Sequence, residues 1–256
     1  MTKFAKWCTA TKEIVGSWEL TVLNSEPAKI NDAVSLVAKA VPLHYVSEDR
    51  VADLLKRLGK AKTAKFIETQ LPTTKAVRSG DLGEILGVTY LTEFTQFKLC
   101  VMRLRWKDHR NMAMRGEDVL SFAIDAKTKK LSILKGEAKS RLSLNTVTVT
   151  AARKALAANN GRPSAHAMAF IATRYFEQGD KKMTDILDRA QLDDQVASSQ
   201  VTHMMFTFSG NDPTAILRND LNNYKGSIEQ ISVGIRVQKH QEFIKLVFEQ
   251  VNIDGL

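Results

Sequence analysis

Between Asp118 and Lys139 the chain reads DVLSFAI, then DAKTKK, then LSILKGEAK, two apolar runs of strand length on either side of a charged turn. The pattern predicts strands over Asp118 to Ile124 and Leu131 to Lys139, joined as an antiparallel hairpin. If Ile124 pairs with Leu131, then Phe122 faces Ile133, Leu120 faces Lys135 and Asp118 faces Glu137. A turn shorter by two residues sets Asp118 opposite Lys139, still on the same face. Like charges directly opposed across strands are destabilising, so an acidic pair at the open end calls for a neutralising cation. Lys139 lies two residues beyond Glu137, so both project from one side, roughly 7 Å apart at their α-carbons. Gly136 and Ala138 take the other side, where small residues let a helix pack closely.

The tripeptide acid-x-Lys occurs three times, beginning at Asp125, Glu137 and Asp180, and by itself is most often a surface ion pair. Only the Glu137 instance ends an apolar strand with a second acid placed opposite. Asp118, Glu137 and Lys139 together suit metal-assisted phosphodiester hydrolysis. Hard oxygen ligands fit Mg2+, with Mn2+ as a substitute, and an ammonium beside the metal can orient a water or stabilise charge on phosphoryl oxygens.

A glycine-rich helix precedes the hairpin. Ser79 and Asp81 are expected to cap it and Leu91 to lie near its end, with Gly80, Gly83 and Gly87 on roughly one face. Close packing along that face would carry Glu84 toward the carboxylates, as an outer metal ligand. Phe97 to Trp106, where VMRLRW alternates apolar and basic residues, predicts a strand. Further helices are expected at Thr146 to Asn159, Ala165 to Phe176, Met183 to Ala190, Pro213 to Leu217 and Glu242 to Val251. Strands are expected at Val201 to Phe208, where Met204, Met205, Phe206 and Phe208 read as core, and at Ile231 to Val237. The N-terminal quarter predicts a strand at Trp18 to Leu23, a helix at Asn31 to Ala40 stopped near Pro42, and a helix capped by Ser47 and ending at Gly59. The class is α/β, a mixed sheet flanked by helices. Residues 1–75 form a mostly helical N-terminal extension or subdomain, and 76–256 the main domain.

Charge placement favours a polyanionic partner. Lys and Arg total 37 against 28 Asp and Glu, for a net +9, yet residues 1–55 sum to −1 and 163–256 to −3. The middle therefore carries +13, a block suited to DNA. Arg115, Lys135, Arg141, Arg153 and Lys154 are candidates for sequence-independent contact with phosphates. Aromatic residues hardly interleave with these basic ones, so stacking on the bases of a single strand is not expected.

The order Glu84, Asp118, Glu137-Ala138-Lys139 resembles the PD-(D/E)xK nuclease superfamily. The phrases RSGDLGEILG (78–87), MRGEDVLSF (114–122), LKGEAKS (134–140) and GRPSAHAMAFIATRYF (161–176) resemble the HamA family, nuclease subunits of the bacterial Hachiman anti-phage system. The likeness is good over about residues 75–190 and loose in the flanks. It implies a PD-(D/E)xK-like nuclease domain in which Asp118 and Glu137 hold the metal, Lys139 serves the attacking water and Glu84 completes the site. It also implies a partner, the superfamily-2 helicase HamB, that restrains the nuclease until DNA is sensed. A catalytically weak, nuclease-fold DNA-binding adaptor of a helicase is the alternative. The intact acid–acid–lysine set favours the enzyme.

Other classes find no support. The five histidines show no HExxH or paired ligand spacing, and His166 in its Ala-rich helix reads as a core histidine. Walker A, GxGxxG and GxSxG sequences are absent, so no nucleotide cofactor is expected. Asp185 and Asp188 read as a solvated helix face. Two cysteines, Cys8 and Cys100, cannot make a disulfide framework. With neither a signal-peptide pattern nor an apolar run of membrane length, a cytoplasmic address is expected.

Overall fold

The fold, taken from a computed structural model, is described for residues 3–114, 116–128, 130–193 and 196–251. Its strands are β1 (Cys8–Val15), β2 (Trp18–Ser25), β3 (Leu99–Cys100), β4 (Val119–Ile124), β5 (Leu131–Arg141), β6 (Val201–Ser209) and β7 (Glu229–Arg236). They form one mixed sheet in the order β1-β2-β7-β6-β5-β4-β3. The run from β2 through β7 and β6 to β5 is parallel, and antiparallel strands close both edges. All nine residues of β6, VTHMMFTFS, are buried, as a strand covered on both faces requires. The expected core residues Met204, Met205, Phe206 and Phe208 lie there without exposure.

One face of the sheet packs against α1 (Ile30–Tyr45), α2 (Glu48–Gln70), α3 (Lys75–Phe94) and α8 (His240–Gln250). The other face is covered by α4 (Thr146–Ala157), α5 (Ala165–Glu177), α6 (Lys181–Leu192) and α7 (Thr214–Asn223). The architecture is the expected α/β class. No helix among the described residues is long and apolar enough to cross a membrane.

Several boundaries differ from expectation for local physical reasons. The first strand, β1, is an edge strand whose middle faces water, so its polar sequence shows no alternation. Helix α1 continues through Pro42 to Tyr45. The proline sits in the last turn, where its missing N–H forfeits one i→i−4 bond and no turn follows for its ring to disrupt, and Arg105 Nε and Nη2 donate to the Leu43 carbonyl at 3.0 and 2.7 Å. Ser47 does cap α2, accepting from the Arg50 N–H at 3.3 Å. The helix breaks at Gly59, in the left-handed region at φ 76°, and then resumes to Gln70. Helix α3 begins earlier than expected, capped by Thr74 rather than by Ser79 or Asp81. The strand expected over Phe97 to Trp106 is only the two residues of β3, followed by a 3-10 turn at Arg103–Trp106.

Gly136, expected to let a helix pack closely on β5, is instead crowded by the neighbouring strands β4 and β6. A Cβ there would stand 2.9 Å from Val119 Cβ and 3.3 Å from Met204 Cε. Gly136→Ala should therefore overpack the hairpin and lose about 1–3 kcal/mol. Urea unfolding would show it as a lower midpoint at unchanged slope.

Candidate active site

The β4–β5 ladder has the register the turn implied. Ile124 pairs with Leu131, Phe122 with Ile133 and Leu120 with Lys135, and the ladder ends at Val119 and Gly136. Asp118 and Glu137 come next, at the mouth of the hairpin. The Ala138 N–H donates to Asp118 Oδ2 at 3.1 Å, which holds the Asp118 carboxylate against β5. The Lys139 ammonium pairs with Glu137 and lies 3.9 Å from Asp118 Oδ2. These three side chains are 12–22% exposed, so their mutual attraction is less screened than that of a surface pair.

Glu84 arrives from α3, as expected, because that helix lies close to the sheet. A Cβ on Gly83 would meet Ser140 Cβ at 3.3 Å, and one on Gly87 the Phe206 ring at 3.4 Å. Gly80 has open space around it and takes no part. Two further contacts anchor the helix. Ser79 Oγ and Ser140 Oγ are 2.8 Å apart, and Ser140 Oγ is 3.0 Å from His240 Nε2 on α8. Asp81 is buried with Lys107, whose ammonium reaches it at 2.7 Å, and accepts from the Tyr45 hydroxyl at 2.6 Å.

Sequence reasoning missed the residue that links the acids. Arg103, in the 3-10 turn, forks onto Glu84 through Nε at 2.8 Å and Nη2 at 3.1 Å. Its Nη2 also lies 3.4 Å from Asp118 Oδ1, and Nη1 donates to the Glu117 carbonyl at 2.6 Å. The usable signal was an arginine inside an apolar run, in a chain with three acids expected near one another. Glu117, also unremarked, accepts from the Ser164 N–H at 2.7 Å and from its hydroxyl at 3.2 Å. A carboxylate there suits the N-terminus of α5.

Burial and neighbouring charge shift the acids strongly. Glu84 is pushed up to about 7, by burial first and then by Asp118 and Asp81, against the lowering pull of Arg103. Glu137 also rises to about 7, through burial and then the adjacent Asp118. A carboxyl raised in the folded state binds more protons than its unfolded counterpart between the two pKa values. Its stabilising contribution is therefore complete below the unfolded value near 4.5 and disappears as pH climbs through about 7. Glu137→Gln, which does not titrate, should gain about 1–3 kcal/mol relative to the parent between pH 5 and pH 8. Chemical denaturation of both proteins at the two pH values measures this directly.

The structure brings Glu84, Asp118, Glu137 and Lys139 into one network, but not as a ready cage for metal. Among the described residues no group of three His, Cys, Asp or Glu stands in ligating arrangement. Asp118 and Glu137 are hard oxygen donors side by side, a set that fits Mg2+, which is usually held by one or two carboxylates. Both Glu84 oxygens are taken by Arg103.

The basic candidates scatter. Arg115 lies outside the described residues. Lys135 is buried, its ammonium held by the carbonyls of Ala158 at 2.8 Å and Arg162 at 3.0 Å. Arg153 is committed to Asp220 at 2.5 Å, to Gln230, and to the face of Tyr224. Arg141 and Lys154 are exposed. Asp185 is solvated beside Arg189, as expected. His166 is not in the core but exposed, on the part of α5 that borders a cavity beside the acidic site. The buried histidines are His44, His203 and His240.

A family model described as HamA matches residues 2–251 of the chain. The Hachiman protein HamA of Bacillus cereus is 24% identical over 232 residues, spanning 89% of this chain and 82% of that protein.

Proposed function

The chain belongs to the HamA family, and from that membership and its acidic site we propose that it is a metal-dependent DNA endonuclease, the effector of an anti-phage defence complex. The observation that carries the reading is the meeting of Asp118, Glu137 and Lys139 at the mouth of one hairpin, with the ammonium beside both carboxylates. A bound Mg2+ supplies charge neutralisation at the phosphate and a water of lowered pKa.

Asp118 and Glu137 hold the cation. The Ala138 N–H fixes the aim of Asp118, and Lys139 donates to a phosphoryl oxygen or orients the attacking water. Arg103 bridges Glu84 and Asp118 and fixes their spacing. Exposed Arg141 and Lys154 contribute sequence-independent attraction for the phosphate backbone. In this reading a HamB-type superfamily-2 helicase restrains the subunit and releases it on sensing DNA, after which DNA is degraded without sequence preference.

One observation favours the adaptor alternative. Arg103 and Lys139 already pair with all three acids internally and offset most of their charge, as a site that no longer needs metal would be arranged. Supercoiled plasmid incubated with the purified chain, alone and with the helicase, separates the two. The nuclease reading expects nicked, linear and then fragmented DNA in Mg2+ or Mn2+, and none with chelator. Retention of DNA without cleavage in the complete complex supports the adaptor.

A further inference from the structure

Beside the acidic site lies a cavity of about 430 Å³, within the size range of small-molecule sites. Its lining includes Trp106, Phe170, Met112, Met114, Leu120 and Arg103. Trp106 and Phe170 come from distant parts of the chain and meet edge to face, with ring centroids 5.8 Å apart and planes at 85°. The Arg174 guanidinium lies 4.8 Å from the centroid of Phe170 and 5.9 Å from that of Trp106, and so helps fix the two rings. Met112, on the loop over the cavity, is 58% exposed.

The cavity and the acids share a wall. Arg103 lines the cavity and lies against Glu84 and Asp118. Glu117 also lines it, and the next residue in the chain is Asp118. We propose that this cavity takes an unstacked base of the DNA strand being cut, so that the chain acts on single-stranded or locally unpaired DNA. The proposal rests on the nuclease reading for its substrate.

Two features select a base. Aromatic and thioether walls match the flat, polarisable face that every base presents, whatever its sequence. The shared wall sets a base held in the cavity next to the strand whose phosphate lies at Asp118. A base paired in a duplex cannot enter without leaving its stack, which disfavours intact duplex. The sparse aromatic content around the basic residues gave no hint of this, because Phe170 lies on α5 and joins Trp106 only through the fold.

The test is binding without cleavage. The full chain, in Ca2+ and again in chelator, is titrated with a fluorescent single strand carrying 2-aminopurine, with its duplex, with an abasic strand of equal length, and with dAMP. The expected result is binding of the normal strand about tenfold or more above the abasic strand, with duplex also weaker and a change in 2-aminopurine emission. Phe170→Ala should abolish the preference while leaving abasic binding unchanged, and Phe170→Leu, which keeps an apolar packing group, should reduce the preference in a folded protein. Equal binding of normal and abasic strands overturns the proposal. So does tight saturable binding of dAMP with no strand preference, which marks a free-nucleotide site. If the preference is found but the complete complex with the helicase yields no cleavage in Mg2+, the cavity assignment stands and the nuclease reading fails. Cleavage without the preference has the opposite meaning.

Discussion

Arg103→Met should unfold at a far lower urea concentration than the parent, with a stability loss of about 3–5 kcal/mol. The guanidinium is buried and serves Glu84, Asp118 and the carbonyls of Glu117 and Met114 at once. Methionine keeps much of the length and apolar packing but none of the donors. Two carboxylates and two carbonyls are then left in a site with little water, the circumstance in which removing one partner costs most. Arg103→Lys should recover only part of the loss, since one ammonium cannot reproduce the fork. In the double variant Arg103→Met/Glu84→Gln, removing the stranded charge should restore about 0.5–3 kcal/mol relative to additivity. A shift below about 1 kcal/mol for Arg103→Met, the size typical of exposed pairs, would show that the fork does not hold the site together.

The largest effect on activity is expected at Glu137 and Lys139. Glu137→Ala removes one of two adjacent carboxylates, and Lys139→Ala removes the cation that touches both. Each should lower plasmid cleavage about 10²–10⁴-fold in a protein that still unfolds cooperatively and still retains DNA. The two variants should differ in kind. Lys139→Ala strips Glu137 of a partner that holds its proton affinity down, so the acid limb of the remaining activity should move to higher pH. Glu137→Ala should instead weaken Mn2+ binding, measurable by calorimetry without DNA. Cleavage unchanged in both would remove the hairpin mouth from consideration as the active site.

Much of the site was legible because a hairpin is local. The apolar runs and charged turn between Asp118 and Lys139 specify a register, and that register alone sets Asp118 beside Glu137. The approach of α3 was legible in part, since Gly83 and Gly87 are where a side chain would collide. Arg103 was not legible. The alternation of VMRLRW fits a strand equally well, and only the 3-10 turn swings Arg103 beneath Asp118. Lys135 failed for a related reason. Its charge suggested a surface, but it lies on a strand whose face is roofed by the turn after α4, and there its ammonium satisfies two helix-end carbonyls. Non-local pairing decides such cases, and one-dimensional pattern carries little of it.

The parallel centre of the sheet also bears on the order of assembly. The β4–β5 hairpin joins neighbours in sequence, and such units form in roughly microseconds. Pairing of β5 with β6 must wait for the whole of 142–200 to be made and for its ends to meet. Parallel, long-separation contacts of this kind are the slow step of folding. The two carboxylates can therefore meet early in the life of the chain, while the strand that buries their support arrives only once residues beyond 200 have been synthesised.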